Sequence, residues 1–363
     1  MRRILTFGFV AAVGCFLALA GCNGGGGGGG GGPAPGSQPG GGTQVNCQAI
    51  IGILEGTSKA VDKAMGAGDF ISWLMDFAKQ GPEKAEPGPR QCFDIDKTVV
   101  SNTKIRFVFN FRRCEFTDTE NGQERTTEIS GTIEIEGEDP TYGGSDPLND
   151  PVFEPLIYDV TFSEFDYRSR PASGPGRIEE FHIEELSFHA ELPQNCPGTG
   201  SFTLDGDLEV TISGDQNEHY LLSYNGFSGA FQFDAACEIT GTTLNGGLSY
   251  QDLQSGPGAP SIDAQYSDFT ISWTETDDGT LIIYNGGISG ACIGDTDLDT
   301  VTEVFSPDTG DCPTSGDIIV NSQAGGSQLC EITIQNDGSV TIRDSQTGEV
   351  TTLPSCHDYE PCL

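Results

Sequence analysis

Positive charge is scarce in this chain of 363 residues: Lys and Arg number 17 against 54 Asp and Glu, a formal charge of −37. That balance excludes a basic nucleic-acid binder, because the surplus would repel a phosphate backbone at ordinary salt. Long apolar runs are nearly absent. The single uncharged one, Ile4 to Ala20, lies at the N-terminus, which excludes a multi-span helical membrane protein. Catalytic signatures are missing too: there is no Gly-x-Ser-x-Gly elbow, no Gly-x-x-x-x-Gly-Lys-Ser/Thr phosphate loop and no His-Glu-x-x-His helix. Only four His occur. His182 and His189 stand seven positions apart in one strand-like segment, an odd spacing that predicts opposite faces and no shared metal. No Cys-x₂₋₄-Cys pair exists, so a zinc ribbon is excluded as well.

What is present begins with an address. Arg2 and Arg3 precede the apolar run, whose length reads as a signal segment rather than a stable span. It ends in Leu19-Ala20-Gly21-Cys22. This segment resembles the lipobox of bacterial lipoproteins. The resemblance implies cleavage before Cys22, a diacylglyceryl thioether on Cys22 and usually a third acyl chain on its new amine. Two or three chains suffice for stable anchoring where one would be marginal. Asn23 stands where an Asp would mark inner-membrane retention, so the resemblance implies the outer membrane and leaves the leaflet open. Gly24 to Gly32 and the Pro/Gly/Ser stretch up to Gly42 bury nothing. They read as a flexible tether with an r.m.s. span on the order of 25 Å.

Twelve Cys occur; Cys15 leaves with the signal and Cys22 takes the lipid. The other ten are Cys47, Cys92, Cys114, Cys196, Cys237, Cys292, Cys312, Cys330, Cys356 and Cys362. An even number in an exported chain predicts up to five disulfides, with a connectivity that the sequence does not give.

Residues 46–90 carry the helical signal. Phe70, Ile71, Trp73, Leu74, Phe77 and Ala78 form one apolar stripe between Asp69 and Gly81-Pro82, and a weaker pattern upstream is interrupted by Gly52, Gly56, Gly66 and Gly68. From residue 91 the period switches to two, as in Leu204, Leu208, Val210 and Ile212 or Phe269, Ile271 and Trp273. The fold class predicted is mainly β: a large antiparallel meander, sandwich or open barrel, with the N-terminal helical segment packed on one face. The helices either cover the sheet or form a lid over an apolar cavity. Polar outward faces exclude a membrane β-barrel.

Asn121-Gly122, Asp277-Asp278-Gly279, Asn285-Gly286 and Asn336-Asp337-Gly338 are read as hairpin turns, and 137–151 and 255–260 as loops. A degenerate repeat places an apolar-polar-Gly turn after Cys114, Cys196 and Cys237, at Ile129-Ser130-Gly131, Leu204-Asp205-Gly206 and Leu244-Asn245-Gly246. Tyr224-x-x-Phe227 and Tyr266-x-x-Phe269 follow in two of the copies. The stretch from Cys312 to Ile342 resembles the terminal hairpins of uncharacterised Cys-containing, β-rich bacterial lipoproteins, a likeness that implies architecture alone. The resulting organisation is a signal at 1–21, lipidated Cys and tether at 22–45, helical segment at 46–90, hairpin body at 91–306 and C-terminal hairpins at 307–363.

Asp295, Asp297 and Asp299 form the one candidate metal loop, because alternate carboxylates can converge on Ca²⁺. The loop resembles the opening of an EF-hand but has Thr300 and Ser306 at its sixth and twelfth positions, and a chance run of acids is the alternative. No other cofactor is expected. Three functions compete. The first is a non-catalytic structural or partner-binding lipoprotein, attached to the outer membrane through acyl chains on Cys22 and facing an unknown envelope or extracellular partner. The second is a lipid-handling half-barrel, as in periplasmic lipoprotein carriers. The third is a hydrolase with a site assembled from distant residues.

Overall fold

Where the period is two the chain makes strands, and they join in a single sheet. The computed structural model describes residues 45–61 and 92–356, apart from connections at 121–122, 151, 174–175, 215–216, 255–260, 277 and 308–311. The Phe70–Ala78 stripe lies outside the described residues. The strands are β1 (Phe93–Ser101), β2 (Lys104–Glu120), β3 (Gln123–Glu138), β4 (Ile157–Pro171), β5 (Ile178–Glu191), β6 (Gly198–Ser213), β7 (Glu218–Phe233), β8 (Ile239–Asp252), β9 (Ser261–Thr276), β10 (Gly279–Gly290), β11 (Gly294–Pro307), β12 (Ser315–Ser322), β13 (Gln328–Ile334), β14 (Val340–Asp344) and β15 (Val350–Leu353). Each pairs only with its neighbours in the chain, always antiparallel, so β1 and β15 are the two edges. The sandwich alternative therefore gives way to one unclosed sheet. It runs unbroken across residue 306, with Phe305 opposite Ser315.

A seam of β-bulges crosses this sheet. Phe111 and Cys114 on β2, Phe162 and Phe165 on β4, Ile183 and Leu186 on β5, Tyr224 and Phe227 on β7, and Tyr266 and Phe269 on β9 are all buried. Residues three apart in a regular strand face opposite ways, so each pair needs one extra residue between its members. The register slips at these places. Glycines on the adjoining strands make room: Gly131, Gly206, Gly246 and Gly286 all have φ between +89° and +119°. A Cβ on Gly246 would stand 2.0 Å from the Gly226 carbonyl oxygen. The preceding Asx side chains cap the bulges. Asp205 Oδ1 accepts the Gly226 N–H at 2.6 Å, and Asn245 Oδ1 the Asp268 N–H at 2.9 Å.

These Asx-Gly pairs lie in the middles of β6, β8 and β10, not at turns, which corrects the reading of Asn285-Gly286 and of the repeat. Gly286 is the next copy, 40 residues after Gly246. The signal for a type I′ turn and that for a bulge are the same, a residue pair that accepts positive φ. At Asp278-Gly279 and Asn336-Asp337-Gly338 the hairpin reading is right, since strands end on either side.

The buried face holds an aromatic ladder and a helix. Phe202, Phe227, Tyr266, Phe269 and Tyr284 follow one another at ring separations of 5.6 to 6.4 Å. Helix α1, described over 47–61, has no exposed residue, so it is packed on more than one side. Gly56 does not interrupt it. A Cβ there would meet Tyr250 at 2.9 Å, so the glycine lets α1 approach β8 closely.

Candidate functional site

Disulfides fix where the helix enters. Cys47, at the start of α1, is bonded to Cys330 on β13, across 283 residues. Asn46 N–H donates to the Cys292 carbonyl at 2.9 Å. Cys92–Cys114 ties β1 to β2, Cys196–Cys237 joins two connections at one end of β6 and β7, and Cys312–Cys356 brackets β12 to β15. Cys292 is also disulfide-bonded, while Cys22 and Cys362 lie outside the described residues.

A polar segment of α1 is buried against a row of tyrosines. Lys59 Nζ lies 3.0 Å from both Glu55 and Glu218, and 4.6 Å from the centre of the Tyr220 ring. Burial alone would lower its pKa, but Glu55, Tyr250, Glu218 and Tyr220 together outweigh that and hold it well above the ordinary value. Thr57 donates to the Ile53 carbonyl, so the Tyr266 hydroxyl, 2.5 Å away, donates to Thr57. Burial raises the Tyr266 hydroxyl and pushes Tyr284 up to about 12, in each case against a helix hydroxyl that lowers it, Thr57 and Ser58 respectively. Sequence reasoning missed this network. Its trace is the polar run Glu55, Thr57, Ser58, Lys59 inside an otherwise apolar segment.

Beside the tyrosine row, between α1 and β10–β14, lies an apolar cavity of about 70 Å³ lined by residues such as Ile51, Leu54, Val304 and Ile332. The larger hollow is on the outer, polar face. It measures about 480 Å³ and is lined by Arg113, Glu128, Asp166, Arg168, Glu180 and His182 among others. Its charges are paired across strands. His182 is 2.7 Å from Asp166, Arg168 2.9 Å from Glu180 and Arg170 3.2 Å from Glu128. Elsewhere on the same face, His219 is 2.6 Å from Glu209 and His189 2.6 Å from Asp159.

The bulge at Glu184-Glu185 also overturns the face assignment of the histidines. One extra residue turns an odd spacing into an even one, so His182 and His189 share the outer face, some 20 Å apart along β5. The Ca²⁺ loop is likewise corrected. Asp295, Asp297 and Asp299 belong to strand β11, where alternate side chains lie roughly 7 Å apart and project in parallel rather than converge. Among the described residues no group of three His, Cys, Asp or Glu is placed to hold a metal ion.

No family model, curated protein or solved structure matches the chain.

Proposed function

We propose that the protein is a disulfide-stabilised, β-rich lipoprotein of the outer membrane with a non-catalytic, structural or partner-binding role. The passage from Cys22 to Cys47 carries this reading. A lipobox and a glycine tether lead to a cysteine bonded to Cys330, so the anchor meets the body at a covalent joint. The outer face fits the structural side of this reading, because its His and Arg side chains are engaged by carboxylates in cross-strand pairs that stabilise the sheet. A carrier of acyl chains draws less support, since the cavity beside α1 is far below the roughly 300–1,000 Å³ of ordinary ligand pockets. Palmitate labelling with membrane flotation tests the anchor. Wild type is expected to carry label and float, and Cys22→Ala to lose both while keeping its disulfides; label retained in Cys22→Ala would overturn it.

A further inference from the structure

On β10–β12 the alternation that fills the core also turns apolar side chains outward. Ile282 and Val304 face each other on the buried side, so their neighbours Leu281 and Phe305, paired across the same two strands, point away from it. Ile283, between buried Ile282 and Tyr284, shares that outer side. Ile319 lies between buried Ile318 and Val320 and stands opposite Asp299. Val301, 60% exposed, sits where β11 has two residues more than β10, between Ile282 and Asn285. None of the five belongs to the core cluster. Leu281, Ile283, Phe305 and Ile319 make one strip on three adjacent strands about 4.8 Å apart, with exposed Val301 beside it, whereas Val108 and Leu221 stand apart from it on the outer face of β2 and β7.

Charge selects what covers it. After Arg177 the chain has a single Lys or Arg, Arg343, and that one stands opposite Glu331. Asp297, Asp299, Glu303 and Asp317 rim the strip. A second copy would bring the same acids to this rim, and an anionic lipid surface would bring phosphates.

We propose that the outer face of β10–β12 docks a protein segment whose apolar side chains are flanked by Lys or Arg. This rests on the partner-binding reading above and gives it a place and a chemistry. An apolar centre inside a charged rim is the usual layout of an interface, with the rim setting encounter rate and salt dependence.

The test is photo-cross-linking in intact envelopes, with the full chain carrying p-benzoylphenylalanine in place of Val301 or Ile283, or of Arg168 for comparison. Adducts at 301 and 283 to a segment rich in Lys, Arg and apolar residues are expected. Their yield should fall about tenfold with Asp299→Lys and Asp317→Lys together. Raising NaCl to about 0.5 M should produce a similar loss without relying on the fold of that variant. Adducts at 301 to an acidic segment, to a second copy or to lipid overturn the proposal, as does a yield indifferent to salt. Adducts at 168 alone overturn this surface and leave partner binding standing. No adduct at any position overturns both.

Discussion

A single dihedral angle separates the two kinds of residue along the bulge seam. Gly246, at φ +89°, has the backbone of Gly226 where a Cβ would go. Glu164, at φ +46°, occupies a left-handed position with its side chain exposed. We predict that Gly246→Val costs about 2–4 kcal/mol, from clash as well as dihedral strain. Glu164→Gly should change stability by less than about 1 kcal/mol, because relief of left-handed strain offsets the added freedom of the unfolded chain. Chemical denaturation of both variants checks this, and equal losses would remove the distinction. The seam was half legible in the sequence. Tyr224-x-x-Phe227 and Tyr266-x-x-Phe269 have a spacing no regular strand can bury on one face, yet three residues of separation also occur in helices and turns.

Helix α1 is held by one disulfide, one buried ammonium and a row of phenols, and each tie has its own solvent dependence. In the loop-entropy account, closing 283 residues through Cys47–Cys330 constrains the unfolded chain by about 5–6 kcal/mol. Replacing both by Ser should therefore lower the melting temperature more than removing Cys92–Cys114, which closes 22; calorimetry on the two double variants decides. The pH response follows from the tyrosines and Lys59. Lys59 is raised in the fold, so its contribution is complete below its ordinary value of 10.5 and fades above it. Tyr284 is raised from 10 to about 12, so above pH 10 the unfolded chain loses a proton that the fold retains, and stability falls in the same direction. Melting temperature should hold steady up to about pH 10 and drop beyond it, and Tyr284→Phe should flatten that drop; a curve unchanged by the substitution would refute the assignment. That 47–61 would be helical was readable from a weak periodicity that runs through Gly52 and Gly56. That its polar residues would meet tyrosines on β7–β10 was not, because those partners are between about 160 and 230 residues away.

Over the whole molecule the surplus of acids acts against folding by self-repulsion. Added NaCl up to about 0.5 M should raise the melting temperature as it screens that repulsion. A fall would mean that the cross-strand ion pairs outweigh it. The class of the body was already legible in the sequence, because period two with wet outer positions specifies antiparallel strands with one buried face. The sequence by itself also determined that cysteines would staple the body and that a helix would lie on that face. Tertiary structure alone decided which cysteines pair, that the sheet is single and unclosed, and which way residues face beyond each bulge. The reason is geometric. Alternation is a local property that survives in any arrangement of strands, whereas one inserted residue reverses every side chain that follows. Where the insertion falls is fixed by the neighbouring strand, through a glycine that yields space and an Asx side chain that accepts the freed N–H.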